Sequence, residues 1–162
     1  YTPEYRMGHY RGHQGLRIAD AIRAGGGGPE EVGRWYTTLG TALHVESRRE
    51  DATADIDAFL TELLEGNGFD GGFVKAADDE SHDDYIRADT ELALSRTGRD
   101  VGTPILTFHP GADKEASFFG PVISKAPTGE EALTLWDAVE TLATMSGMAE
   151  LKRSNRAELD FT

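Results

Sequence analysis

Through roughly the first hundred residues, apolar positions recur at helical spacing. After Pro3, the stretch to Ala24 carries Leu16, Ala19 and Ile22, with Ile18 close by, and predicts a helix with those residues on its buried face. Four glycines, Gly25 to Gly28, stop it and supply a C-terminal cap, and Pro29 suits the first position of the next helix. There Val32, Trp35, Tyr36, Leu39 and Leu43 fall at i, i+3, i+4, i+7 and i+11, an amphipathic stripe. Residues 47–53 read as a polar link. Ile56, Phe59, Leu60, Leu63 and Leu64 make a third stripe, closed by Gly66-Asn67-Gly68. Phe69 to Ala77 predicts a short helix. Ser81 followed by Asp84 resembles a capping pair, opening a helix to about Arg96 that buries Ile86, Ala93 and Leu94.

The period then changes. Residues 104–108 and 116–119 are short β-branched or aromatic runs joined by a polar, glycine-containing turn, which predicts a β-hairpin. Thr128 and Glu131 have the spacing of a capping box, and Ala132, Leu135, Trp136, Val139, Leu142 and Ala143 follow at helical spacing. Residues 148–162 form a polar tail, read as one helical turn and then an extended arm. Two strands alone make a marginal sheet, so the hairpin either packs on helices or has partner strands outside these residues.

Composition narrows the classes. The 162 residues suffice for a core, and 38% hydrophobic with 28% charged residues describes a globular chain. A formal net charge of −13 argues against nucleic-acid and anionic-membrane partners, and no apolar run approaches membrane-spanning length. There is no cysteine, which excludes disulfides, thiolate chemistry and cysteine-ligated metals within these residues. The chain begins at Tyr1, and its opening reads like the interior of a longer protein.

Candidate chemistry is sparse. His9 and His13 stand four apart on the first helix, a spacing that can hold a metal, with Glu4 nearby in sequence. No third ligand follows from the pattern, so no metal is expected and solvated or cleft-lining histidines are the plainer reading. The acids of residues 78–84 have Asp83 where a calcium loop needs its glycine, and are explained by a helix start. Trp35 and Trp136 sit on apolar stripes and read as core. The glycine run is no phosphate loop, since no Lys-Ser/Thr follows it. Pro104 begins a strand, where its missing donor is tolerated, and the residues alone leave its peptide bond open between cis and trans.

The stretches DVGTPILTF, SFFGPVISKAPTGEEALTLWDAVETLA and ELKR resemble the C-terminal part of DsbA-like thioredoxin-fold oxidoreductases. They are most similar to an actinobacterial branch, FrnE-like or mycothiol-dependent nitroreductase. The likeness extends back through YTPEYRMG and the helical stretch, and covers nearly the whole chain. It implies an α/β fold: the C-terminal part of a thioredoxin-like (DsbA-like) fold with a large all-helical insertion, mainly α with one β-hairpin. Residues 1–98 would be the insertion, 99–147 the C-terminal thioredoxin-fold portion, and 148–162 the tail. The opening β-α-β with its C-x-x-C motif is missing from these residues.

The resemblance also implies roles. Pro104 would be the cis-proline, and Gly102, Thr103 and Pro104 would bind substrate, the Thr103 backbone facing a reactive cysteine pair. His9 and His13 would border the same cleft. No catalytic residue is assigned within the chain. No cofactor is expected to be bound; a low-molecular-weight thiol, mycothiol or glutathione, would be the co-substrate of the intact protein, which would act in the cytoplasm on a small-molecule or disulfide substrate. Kappa-type glutathione transferases and 2-hydroxychromene-2-carboxylate isomerases share the inserted plan, and their key serine would also lie in the missing opening. A third alternative is an acidic helical binding module without chemistry. An exposed sheet edge would favour a homodimer or a domain swap.

Overall fold

The computed structural model describes residues 2–155 and 157–160, the side chains of residues 4 and 5 excepted. The helices are α1 (Pro3–Ala24), α2 (Pro29–Gly40), α3 (Arg49–Ala54), α4 (Ile56–Gly66), α5 (Asp83–Thr97) and α6 (Gly129–Thr144). The strands are β1 (Ile105–Phe108) and β2 (Ala116–Phe119). The chain is therefore α/β and mainly α, with one antiparallel hairpin among the described residues. It divides into two compact units, Tyr1–Asp89 and Thr90–Thr162, with the division inside α5.

In the first unit the glycine run acts as read. Gly26 takes φ +96, the Gly26 N–H bonds the Arg23 carbonyl (3.1 Å) and the Gly27 N–H bonds the Ile22 carbonyl (2.9 Å). This is a Schellman ending, which favours glycine at the left-handed position. A Cβ on Gly27 would stand 2.8 Å from the Ile22 carbonyl oxygen, so the close return also excludes a side chain there. At the start of α2 the Glu31 carboxylate accepts from the Gly28 N–H at 2.9 Å.

The buried stripe of α1 differs from the expected one. Ile18 and Ile22 are buried, whereas Leu16 is 42% exposed. At about 100° per residue, Leu16 lies roughly 200° around the helix from Ile18, so the two cannot share a face. Gly15 completes the buried face. Leu39 packs over it so closely that a Cβ would fall 2.3 Å from Leu39 Cδ2, and the Trp35 indole donates to the Gly15 carbonyl at 2.9 Å. Trp35 is core as expected, but Tyr36 is 70% exposed, beside the stripe rather than on it. The α4 stripe holds: Phe59, Leu60, Leu63 and Leu64 are all buried, with Ile56 partly so.

Four local features differ from the sequence expectation. The polar link contains α3, anchored by buried Ala52. The helix expected over 69–77 is a 3₁₀ helix, Gly71–Asp78, capped by the Asp70 carboxylate on the Gly72 N–H at 2.8 Å. The Ser81/Asp84 pair does not cap α5: Asp79 accepts from the Ser81 N–H at 2.9 Å, opening a 3₁₀ turn, Glu80–His82, and α5 starts at Asp83. Ile86, Ala93 and Leu94 are half-buried rather than buried.

In the second unit Ile105 faces Phe119 and Phe108 faces Ala116, the expected hairpin. Thr107 and Ser117, directly opposite, share a hydroxyl hydrogen bond of 2.9 Å. Arg96, in the last turn of α5, donates to Thr107 Oγ1 at 3.3 Å and pairs with Glu115 at 3.6 Å. Phe108 is buried and its ring meets Trp136 of α6 at 5.2 Å and 57°. Trp136 itself is 52% exposed, so it covers Phe108 from outside and is not core. Thr128 occupies the N-cap of α6 but its side chain makes no cap bond, and the expected capping box does not close. The tail holds no helical turn among its described residues; the Asp160 N–H bonds the Ser124 carbonyl (2.7 Å) and its carboxylate pairs with Lys125 (2.7 Å).

Candidate functional site

The loop into β1 is in the second unit. The Pro104 carbonyl accepts from the Gly120 N–H at 2.8 Å, one rung beyond the Ile105–Phe119 pair. Proline has no N–H to complete that rung. The Thr103–Pro104 and Gly120–Pro121 peptides are both cis. Gly102, Thr103 and Pro104 are all exposed. A Cβ on Gly102 would lie 3.4 Å from the Phe119 ring, so the loop backbone runs close over that side chain. Among the described residues, neither the N–H nor the C=O of Thr103 has a hydrogen-bond partner. An exposed, unpaired donor and acceptor next to a strand is what an extended ligand can bind. The chain contains no thiol.

The two histidines belong to the first unit and have different surroundings. His9 is exposed. His13 Nε2 lies 2.8 Å from Asp83 Oδ1. An ionised carboxylate only accepts, so Nε2 carries the hydrogen. Asp83 also takes two bonds from Arg17, from Nε at 2.7 Å and Nη2 at 2.8 Å, and Arg17 Nη1 donates to the Ala77 carbonyl at 3.1 Å. The Arg17 bond, against some desolvation and with help from His13, holds the Asp83 carboxyl far below the usual carboxylate range. The same pairing raises the pKa of Arg17.

A second cluster repeats the plan one turn further along α1. Asp20 is buried, bonded to His82 Nδ1 at 2.8 Å and to Arg23 at 2.9 and 2.6 Å. Burial alone would raise its pKa, but the His82 and Arg23 bonds outweigh it and the net shift is downward. Gln14 and Tyr10 both donate to Asp78 Oδ1, at 2.9 and 3.2 Å. Arg23 also stacks on Tyr85, 3.7 Å from the ring centre.

Residues 78–85 are thus fastened to the polar face of α1. The acids at 78–84 do more than complement a helix dipole, and His13 is committed to that seam. Sequence reading missed Gln14, Arg17 and Asp20. The available signal was their i, i+3, i+6 spacing on a helix whose other face was apolar. No group of three His, Cys, Asp or Glu side chains among the described residues could hold a metal, and the Glu4 side chain lies outside them.

The family described as Rv2466c-like, mycothiol-dependent nitroreductase Rv2466c, matches residues 1–153. The chain belongs to the Rv2466c-like family. The match covers the Gly102–Pro104 loop and the α1 seam, and so takes in parts of both units. The uncharacterized protein Rv2286c of Mycobacterium tuberculosis (strain H37Rv) is 31% identical to this Rv2466c-like chain over 121 residues, 74% of the chain and 48% of that protein. The chain spans about half the length of this curated relative. No helix among the described residues is long and apolar enough to cross a membrane.

Proposed function

We propose that this chain is the substrate-facing part of a mycothiol-dependent thiol–disulfide oxidoreductase of thioredoxin fold. The family match over residues 1–153 carries the reading. The 162 residues hold no cysteine; in this reading the redox pair lies in residues beyond them, in an opening β-α-β unit. Mycothiol regenerates that pair in the cytoplasm. A thiolate attacks a disulfide to give a mixed disulfide, and the loop's part is to hold the partner while sulfurs exchange. The Thr103 backbone pairs with the substrate on one side of the reacting sulfur. Gly102 keeps the approach open and Pro104 turns the chain into β1. His13 is left out of this assignment, because it is spent on Asp83.

The same reading extends to the sheet. Among the described residues β1 and β2 pair only with each other, and the unpaired edges are receptive to a further strand. That strand comes from the rest of the longer polypeptide or, in its absence, from a second copy by dimerisation or swapping.

The test uses the full reading frame. The isolated 162 residues should show no thiol-dependent reductase activity, and the full-length protein should show activity with mycothiol. Thr103→Val, which keeps the backbone, should leave kcat/KM nearly unchanged. Thr103→Pro, which removes the N–H, should lower it about tenfold, as expected for one lost hydrogen bond. A full-length protein with a lone serine and glutathione dependence would overturn the proposal in favour of a kappa-transferase-like enzyme. Mycothiol-dependent activity unaffected by Thr103→Pro would overturn the loop assignment.

A further inference from the structure

An open cleft of about 440 Å³ lies in the first unit, between α2 with its continuation and α4. Its floor is apolar, made by Ala42 and Leu63. Its rim is polar throughout: Arg34, Thr37, Thr38, Thr41, Glu46 and Asn67. Position by position, Arg34, Thr37, Thr38 and Thr41 repeat at i, i+3, i+4 and i+7, one face of a helix. After Gly40 the helix widens into a π turn, Thr41–Val45, in which the Glu46 N–H reaches back to the Thr41 carbonyl at 3.0 Å. Such widened turns are frequent at functional sites.

These rim groups have bonding capacity to spare. Thr53, Thr97, Thr134, Thr141 and Thr144 each donate their hydroxyl to the carbonyl four residues back. Among the described residues the hydroxyls of Thr37, Thr38 and Thr41 make no such bond. Arg11, Arg17, Arg23, Arg48 and Arg49 all hydrogen-bond within the unit. Arg34 instead lies over the Phe69 ring, 4.3 Å from its centre, which fixes the guanidinium while leaving its N–H groups uncommitted. The Glu46 carboxylate has no ion-pair or hydrogen-bond partner among the described residues. Asn67 uses its amide N–H on the Leu63 carbonyl at 2.9 Å and keeps its carbonyl oxygen.

We propose that this cleft binds a small neutral polyol or monosaccharide-sized ligand. The volume falls in the range of small-molecule sites, roughly 300–1,000 Å³. The rim's guanidinium and carboxylate stand well apart along the helix and sum to no net charge, so no cluster of like charge is present to hold an ion. Arg34 can donate to a ligand hydroxyl and Glu46 can accept from one, and the three threonines and Asn67 can do both. The C–H face of a polyol has Ala42 and Leu63 beneath it.

The test is an amide chemical-shift titration of the 162-residue chain with methyl α-D-glucoside, sorbitol and inorganic phosphate. A glucoside or sorbitol should give saturable, millimolar-range shifts at Thr37, Thr38, Thr41 and Asn67, and phosphate should give none. Thr38→Val with Thr41→Val should weaken binding about tenfold for each hydroxyl bond lost, while Thr134→Val leaves it unchanged. Glu46→Gln, an exposed and shape-preserving change, should weaken polyol binding. It serves as the second variant should the double valine change disturb folding. Absence of saturation with either polyol would overturn the proposal. So would undiminished binding in both variants, or phosphate saturating the same amides of the unaltered chain.

Discussion

The two units of this chain are held together by different means. The first buries Ile18, Ile22, Trp35, Phe59, Leu60, Leu63 and Leu64 in one cluster and then fastens residues 78–85 across α1 with paired charges. In the second, Phe108 is the buried hydrophobic side chain among the described residues, and Val122, Ile123, Leu133 and Trp136 are exposed. A helix, a hairpin and a single buried ring make a weak core. The lesson is that secondary structure of similar clarity in sequence can have very different amounts of apolar burial behind it.

The largest expected effect is in the first core. Leu60→Ala should cost about 2–5 kcal/mol, read from urea unfolding, because a wholly buried side chain leaves a cavity. An equal loss from Trp136→Leu would break the comparison, since that side chain is half in water. Arg17→Met should cost about 1–3 kcal/mol, because it strands the Ala77 carbonyl and removes a buried guanidinium.

The acid limb sharpens the contrast further. Asp83 and Asp20 have folded pKa values below their ordinary ones. Their contribution is present in full above the unfolded value, about 3.9, and is lost as pH falls through it toward the depressed folded values. Stability of the first unit, followed by near-ultraviolet signals, should drop in that window, and Asp83→Asn should flatten the drop. In the second unit, a double-mutant cycle on Phe108→Leu and Trp136→Leu should give a coupling of about 0.5–1.5 kcal/mol. Smallest of all, Asp84→Asn should leave unfolding unchanged within error, because the Arg87–Asp84 pair is almost wholly in solvent.

What was legible in the sequence followed from periodicity and from punctuation. The α4 stripe, the glycine stop after α1, Pro29 and the hairpin all depend on local geometry, and each is found. Leu16 is misplaced because a stripe read from apolar residues alone ignores which polar residues have buried partners. Arg17 and Asp20 take inward positions on α1 since Asp83 and His82 meet them there, and those partners are more than sixty residues away in sequence. Trp136 was misread for the opposite reason: helical spacing says which residues share a face but not whether anything covers it. The Gly102–Pro104 loop became visible through resemblance rather than through physics, since an exposed turn before a strand has no distinguishing local signature.

The seam along α1 also constrains how such a chain can drift. Position 17 is tied to 83 by two hydrogen bonds and position 20 to 82 by another. Loss of Arg17 leaves Asp83 with His13 but strands the Ala77 carbonyl, whereas exchange of both members of a pair, to apolar residues of similar volume, can be neutral. In descendants of this sequence these distant positions are therefore expected to change in concert or not at all. A pair of substitutions at 17 and 83, arriving together, would be the historical trace of a contact that no short window of the chain reveals.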